Sequence, residues 1–172
     1  MLERLPYARR LELESREPRS RRASLCGTAL LFAVAGRLGY GAVEPAAMKF
    51  PEGEKPRVAG GPYFSISHTA RRVVCAASRD CDLGVDHEEY TGDEPPARLR
   101  RWTAVEATLK AAGAGLKRVH AVEVDPALRS ARLDATVYQL QTLDLGPGVV
   151  ACLAARSVPD AIEVQGLEGV GS

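Results

Sequence analysis

Residues 84–88 are GVDHE, and we predict that they end a β-strand covering residues 83–88. Side chains alternate between the two faces of a strand, so Asp86 and Glu88 are expected on the same face. This run therefore predicts two carboxylates that share one face of the strand.

A second run, WTAVEATLK at residues 102–110, predicts a helix. Trp102, Glu106 and Lys110 follow one another at intervals of four residues and form one stripe. The adjacent apolar stripe comprises Val105, Leu109 and Ala112. A helix that faces the strand would add a third carboxylate and a cation to the pair of acids. Three such oxygen ligands suit Mg²⁺, and the lysine suits a phosphate bound to that metal.

The two runs resemble the signatures of the 4'-phosphopantetheinyl transferases of the larger, single-chain (Sfp-like) type. Those signatures are a Gly-hydrophobic-Asp-x-Glu strand and a later Trp-Ser/Thr-x-Lys-Glu-Ala-x-x-Lys helix. Four further fragments resemble the family in the expected order: RASLCG at 22–27, GEKP at 53–56, FSISH at 64–68 and GVVACLA at 148–154. The resemblance therefore covers most of the chain.

The resemblance implies an α+β fold, the 4'-phosphopantetheinyl transferase fold. Two similar α+β lobes would lie in a pseudo-twofold arrangement, with the active site between them. We expect a single domain over residues 1–172, with lobe 1 at about 1–85 and lobe 2 at about 86–172.

The implied activity is that of a holo-[acyl-carrier-protein] synthase, acting in fatty acid, polyketide or nonribosomal peptide biosynthesis. The 4'-phosphopantetheine arm of coenzyme A is transferred to a serine of an apo acyl or peptidyl carrier protein. The reaction depends on Mg²⁺ and releases 3',5'-ADP.

The resemblance also implies residue roles. Asp86, Glu88 and Glu106 are expected to hold Mg²⁺, and Glu106 and Lys110 to be catalytic. The residues expected to contact coenzyme A are Arg22, Lys55, Ser67, His68 and Lys110. Arg22 would lie near the 3'-phosphate and Lys55 near the adenine, while His68 would reach a phosphate with Ser67 alongside.

Two departures from the family pattern bear on activity. The family has a lysine at the position of Val105, and that lysine is a candidate to deprotonate the attacking serine. Valine cannot accept a proton, so Glu106 or a metal-bound water would take that role. Only residues 89–101 separate the two runs, where relatives have a longer excursion that forms part of the carrier-protein docking site.

Simpler interpretations stay open for each group. Paired acids are common on solvated strands, and a glutamate and a lysine four residues apart are more often a surface pair. His68 could serve only as a structural hydrogen-bonding residue. The alternative function is a catalytically degenerate relative that binds coenzyme A or a carrier protein without transfer.

The amino-acid composition restricts the other classes of function that the chain could have. The chain has 172 residues, of which 45% are hydrophobic and 26% charged, and its formal net charge is +1. Such a balance gives no reason to expect nucleic acid as a partner. Four cysteines without Cys-x-x-Cys spacing predict buried free thiols in a reducing cytosol, with Cys26, Cys75 and Cys152 in apolar runs. We expect a cytoplasmic monomer.

The N-terminal region suggests one other compartment. Residues 20–25, SRRASL, followed by the apolar stretch 26–36, resemble a twin-arginine export signal. That stretch is too short to span a bilayer, and no membrane contact is expected. It also fits a core helix whose shared face comprises Leu25, Thr28, Ala29 and Phe32.

The spacing of the apolar residues, together with the positions of glycine and proline, predicts the helices and strands. Two helices are expected, over residues 20–37 and from Pro95-Pro96 to Gly113. A charged start precedes the first helix, and residues 51–61 form a loop. The predicted strands lie near residues 44–50, 63–67, 73–78, 83–88, 119–124, 136–143 and 149–155.

Overall fold

The computed structural model describes residues 2–51, 54–93 and 95–157. Its α-helices are α1 (Tyr7–Ser15), α2 (Pro18–Ala35) and α3 (Ala97–Ala112). Its strands are β1 (Met48–Lys49), β2 (Arg57–Val58), β3 (Tyr63–His68), β4 (Val73–Ser78), β5 (Leu83–Glu89), β6 (Val122–Val124), β7 (Ser130–Leu133), β8 (Thr136–Leu143) and β9 (Val149–Ala155). The fold is a mixture of helices and antiparallel sheets, in agreement with the expected α+β class.

The strands form two pairs and one larger sheet. β1 pairs with β2 and β3 with β4, while the five-stranded sheet has the order β5-β9-β8-β7-β6. β5 pairs with β9 from Leu83 to Glu89. The expected lobe boundary at residues 85/86 therefore falls inside a strand of the larger sheet, and the division into two lobes stays a prediction.

α2 begins where expected and packs against β3 and β4. Glu17 caps it, because its carboxylate accepts hydrogen bonds from the first-turn amides, and Pro18 occupies the first turn. Its buried face comprises Ser24, Gly27, Thr28, Leu31 and Ala35. Ala29 is exposed, so the predicted shared face was wrong in that position.

α2 also bears on the export prediction. Together with the turn that follows, Pro18–Tyr40 is a 23-residue helical segment that contains an 18-residue window of mean hydropathy 1.3, so by length and composition alone it could cross a membrane. The helical segment is longer than the apolar stretch 26–36 considered in the sequence, which by itself stays too short to span a bilayer. Core helices and signal sequences share these properties, and the cytoplasmic location stays a prediction.

The four cysteines are free thiols, as predicted. Burial raises the pKa of the Cys75 and Cys152 thiols to about 12, which makes both poor nucleophiles at neutral pH. Cys26 is exposed, contrary to the expectation of a buried thiol. Cys26 lies on the opposite side of α2 from the buried face of that helix, and so it faces solvent.

α3 packs against β5 and β9 at unusually short range, and Gly84 permits this. A Cβ atom at this position would overlap the carbonyl oxygen of Ala107 and the amide nitrogen of Ala111. The glycine of the GVDHE run therefore lets the helix backbone rest directly on the strand. The two residues that follow, Val85 and Asp86, are consequently held against the helix that carries Glu106.

Several predicted elements differ from the structure. The charged start contains α1, which the sequence did not predict. Residues 44–50 form a short 3₁₀ turn (Pro45–Ala47) before β1, and Leu116–Ala121 is also 3₁₀, so the strand expected from 119 begins at Val122. β7 was not predicted, and β2 (Arg57–Val58) lies inside residues 51–61, which were predicted to be loop. The remaining strands and α3 confirm the prediction within about two residues.

Candidate active site

Asp86, Glu106 and Lys110 meet where β5 faces α3. The ammonium of Lys110 lies 2.6 Å from Asp86 Oδ1 and 3.6 Å from Glu106 Oε2. Asp86 is almost completely buried, with a side-chain exposure of 3%. The predicted convergence of these three residues is therefore confirmed in the structure.

Serines of β3 attach that strand to the edge of β5. The Ser67 hydroxyl donates to Asp86 Oδ1 at 2.8 Å and accepts from the His87 amide at 3.3 Å. The Ser65 hydroxyl accepts from the Val85 amide at 3.0 Å. Ser67 is thus a buried residue that orients Asp86, while its expected contact with coenzyme A stays a prediction.

The carboxylates raise one another's proton affinity. Burial, followed by the charge of Asp86, raises the pKa of both Glu106 and Glu88. Lys110 opposes the shift at both residues, and the Trp102 indole opposes it at Glu88. A site with three acids and one lysine is therefore short of positive charge.

One carboxylate oxygen in this group is unpaired. Asp86 Oδ2 is buried and has no hydrogen-bond partner among the described residues. Such an atom is costly to bury unless something else satisfies it. In residues 2–51, 54–93 and 95–157, however, no three His, Cys, Asp or Glu side chains stand close enough to hold a metal ion. Lys110 occupies the space where the carboxylates converge.

His87 lies on the opposite face of β5 from Asp86, in keeping with the alternation of side chains along a strand. It is buried, and neither of its ring nitrogens has a hydrogen-bond partner in the described part of the chain. Burial lowers the pKa of His87, so the neutral ring is favoured.

A cleft of about 500 Å³ begins at Lys110 and extends between α1, α2, β3 and the end of α3. Its apolar walls include Phe50 and Phe64, and its charged lining includes Arg9 and Arg16. His68, exposed at the end of β3, also lines it. The cleft therefore joins apolar surface to several cationic groups.

The two arginines were not predicted as site residues, because their position depends on α1. Glu12 lies between them and accepts from Arg9 at 2.5 Å and from Arg16 at 2.6 Å. Arg16 also donates to Ser24 at 3.1 Å. The only sequence signal was the arginine-rich start, which is equally typical of a solvated helix.

The structure does not bring Arg22 to this cleft. Arg22 is exposed, two residues before Ser24, which places it almost on the opposite side of α2 from the cleft lining. Lys55 does line the cleft, but its ammonium donates to Asp82 and to the carbonyl of Leu83. Burial lowers the pKa of Lys55. Because its ammonium is already bonded, Lys55 would contact a ligand in the cleft through its methylene groups.

The predicted apolar stripe of α3 is buried at Val105 and Leu109 but exposed at Ala112. Val105 is 7% exposed and belongs to the apolar core beneath the larger sheet. Leu109 is buried as expected, whereas Ala112 is exposed because the helix ends there. The position of the family's lysine is thus filled by a core side chain.

The raised pKa values give a testable pH dependence. A folded-state pKa above the unfolded one means that stability is fully present below the ordinary value of 4.5 and is lost as pH rises through the raised value. Glu106→Gln should therefore be increasingly more stable than wild type from about pH 4 to pH 8, in urea unfolding. Glu14→Gln, at an exposed position of α1, is the control. An equal gain from both variants at every pH would contradict the electrostatic account.

No family model matches the chain, and no curated protein matches it.

Proposed function

We propose that this chain is a Mg²⁺-dependent 4'-phosphopantetheinyl transferase that modifies a serine of an acyl or peptidyl carrier protein. The observation that carries the proposal is the meeting of Asp86, Glu106 and Lys110 at one end of a cationic cleft. A buried acid with a second acid and a lysine beside it, at the end of a ligand-sized cleft, is typical of a functional site, and a lysine beside carboxylates suits a phosphate group bound with Mg²⁺.

The arrangement of the helices supports the corresponding fold. α2 packs on the β3-β4 pair, and α3 packs on β5 and β9. Each half of the chain thus combines one long helix with antiparallel strands. The serine hydrogen bonds between β3 and β5 join the halves next to the cleft, which is consistent with two lobes and a site between them.

Coenzyme A suits the cleft in size and charge. Phe50 and Phe64 offer apolar contacts for the arm or the adenine, while Arg9, Arg16 and Lys110 offer charge to the phosphates. Arg16, one of the two arginines that line the cleft, takes the role expected of Arg22, because it is held next to α2 by its hydrogen bond to Ser24.

The residues fit a Mg²⁺ ion by their chemistry. The unpaired buried oxygen of Asp86 and the charge deficit of the three acids both favour an added cation. Asp86, Glu88 and Glu106 would hold it, in part through water. When bound, the metal would stabilise negative charge on the pyrophosphate of coenzyme A.

The other steps of the reaction are assigned to Glu106 and Lys110. The serine oxygen of the carrier forms a bond to the β-phosphorus of coenzyme A, and the bond from that phosphorus to the 3',5'-ADP oxygen breaks. Glu106 takes the serine proton, a role for which its raised pKa suits it, because a base is most effective near the working pH. Lys110 neutralises the phosphate oxygens.

A second candidate is a relative that binds coenzyme A or a carrier protein without transfer. Two observations favour it, namely the ion pair of Lys110 with Asp86 and the core position of Val105. A rise in melting temperature with coenzyme A and Mg²⁺, with no transfer to any apo carrier protein in a panel, would support it. Transfer to one or more carriers would support the enzyme instead.

Binding of the 3'-phosphate gives a separate prediction. Arg16→Ala is expected to weaken coenzyme A binding about tenfold in calorimetry, because one charge-assisted phosphate contact is lost. Binding of dephospho-coenzyme A, which lacks the 3'-phosphate, should change little. Arg22→Ala is the matched control and should bind both like wild type. Weaker coenzyme A binding by Arg22→Ala, with unchanged binding by Arg16→Ala, would contradict this assignment and show that the 3'-phosphate lies near Arg22, as predicted from the sequence.

A further inference from the structure

A second depression, here called the Trp102 groove, lies along the N-terminal half of α3, whereas the cleft reaches that helix only at Lys110, near its C-terminal end. It has a volume of about 380 Å³ and is lined by Arg98, Arg101, Trp102, Val105, Val119, His120 and Val122. The four residues of α3 in this set are spaced i, i+3, i+4 and i+7, so they share one helix face. The opposite wall is the 3₁₀ segment Leu116–Ala121 and the start of β6.

The lining of the groove combines apolar and basic groups. Trp102 is 37% exposed, and Arg98 and His120 are exposed at the rim. Its lining includes no acidic side chain. An exposed aromatic between cationic groups is typical of the anchors at protein interfaces, and the charge calls for an acidic partner.

Trp102 also connects the groove to the site. It lies one helical turn before Glu106, and its indole N–H lies close enough to the Glu88 carboxylate to oppose the rise in the pKa of that group. The large cleft leaves the site in the other direction, past Lys110 and Gly113 at the end of α3. If coenzyme A fills that cleft, the acceptor hydroxyl has to approach Glu106 from the side of Trp102.

We propose that the Trp102 groove is the docking surface for the acceptor protein, and that it receives an acidic surface segment of that protein. This inference rests on the proposed function for the identity of the acceptor.

Trp102 is the only tryptophan of the chain, so its fluorescence reports directly on the groove. The test titrates the protein with a tryptophan-free apo acyl carrier protein and follows Trp102 emission. Wild type should show a saturable change, and the double variant Arg98→Glu, His120→Glu should weaken binding about tenfold or more. Arg19→Glu, an exposed charge reversal on α2, is the control and should bind like wild type.

In steady-state transfer, the double variant should raise KM for the carrier about tenfold while KM for coenzyme A and kcat stay within about twofold. An unchanged carrier KM would overturn the groove and leave the transferase intact. Absence of transfer by wild type would overturn the proposed transferase activity. The fluorescence titration would still show whether the carrier protein binds at the Trp102 groove. A response to single-stranded DNA as strong as the response to the carrier would also overturn the proposal, in favour of a nucleic acid.

Discussion

Gly84→Ala is expected to lower the free energy of unfolding by about 3 kcal/mol or more, or to prevent folding. The added methyl group would overlap backbone atoms of Ala107 and Ala111, which cannot move aside as a flexible side chain could. α3 would have to lift from β5, and Glu106 and Lys110 would leave Asp86. Urea unfolding followed by circular dichroism measures this change.

Gly115→Ala is the matched control. Apart from its chain neighbours, no atom of the residues that the structure describes lies within 4 Å of a Cβ at that position, and its φ of −79° suits alanine. Its stability should lie within about 0.5 kcal/mol of wild type. Equal stability of the two variants would show that the close approach of α3 to β5 is not what holds the site together.

Asp86→Asn is expected to reduce transfer about 10³-fold. The amide has the shape of the carboxylate and can still accept from Ser67 and Lys110, but it lacks the negative charge that the proposed site needs. The loss should appear in kcat, since coenzyme A binds mainly through the cleft. Steady-state kinetics with a carrier that wild type modifies measures it.

Two comparisons separate charge from folding in this variant. Asp134→Asn, on an exposed turn where asparagine tolerates the positive φ of 54°, should transfer like wild type. The melting temperature of Asp86→Asn should show that the protein is folded at the assay temperature. Wild-type kcat in folded Asp86→Asn would refute the assignment of Asp86.

Most of the sheet and α3 could be predicted because their patterns are long and clearly punctuated. Double proline and glycine bound α3, and alternating or continuous apolar runs mark β3, β4, β5, β8 and β9. α1 is nine residues long and has no side-chain cap, so local sequence does not specify it. β7 has only four residues and depends on its neighbours β6 and β8.

Some residues of the candidate site could also be predicted from the sequence, whereas others could not. The meeting of Asp86 with Glu106 and Lys110 follows from strand and helix periodicity, together with a glycine that allows close packing. Arg16 could not be predicted, because its place at the cleft depends on α1. The engagement of Lys55 with Asp82 is likewise a tertiary contact between residues 27 positions apart.

The mass of an apo carrier protein after incubation with this chain, coenzyme A and Mg²⁺ tests the central claim most directly. Intact-protein mass spectrometry over a panel of acyl and peptidyl carriers should show one or more carriers gaining a single phosphopantetheine arm, and the gain should disappear when Mg²⁺ is chelated. A panel that stays entirely in the apo form, with coenzyme A failing to raise the melting temperature of the protein, would contradict the account.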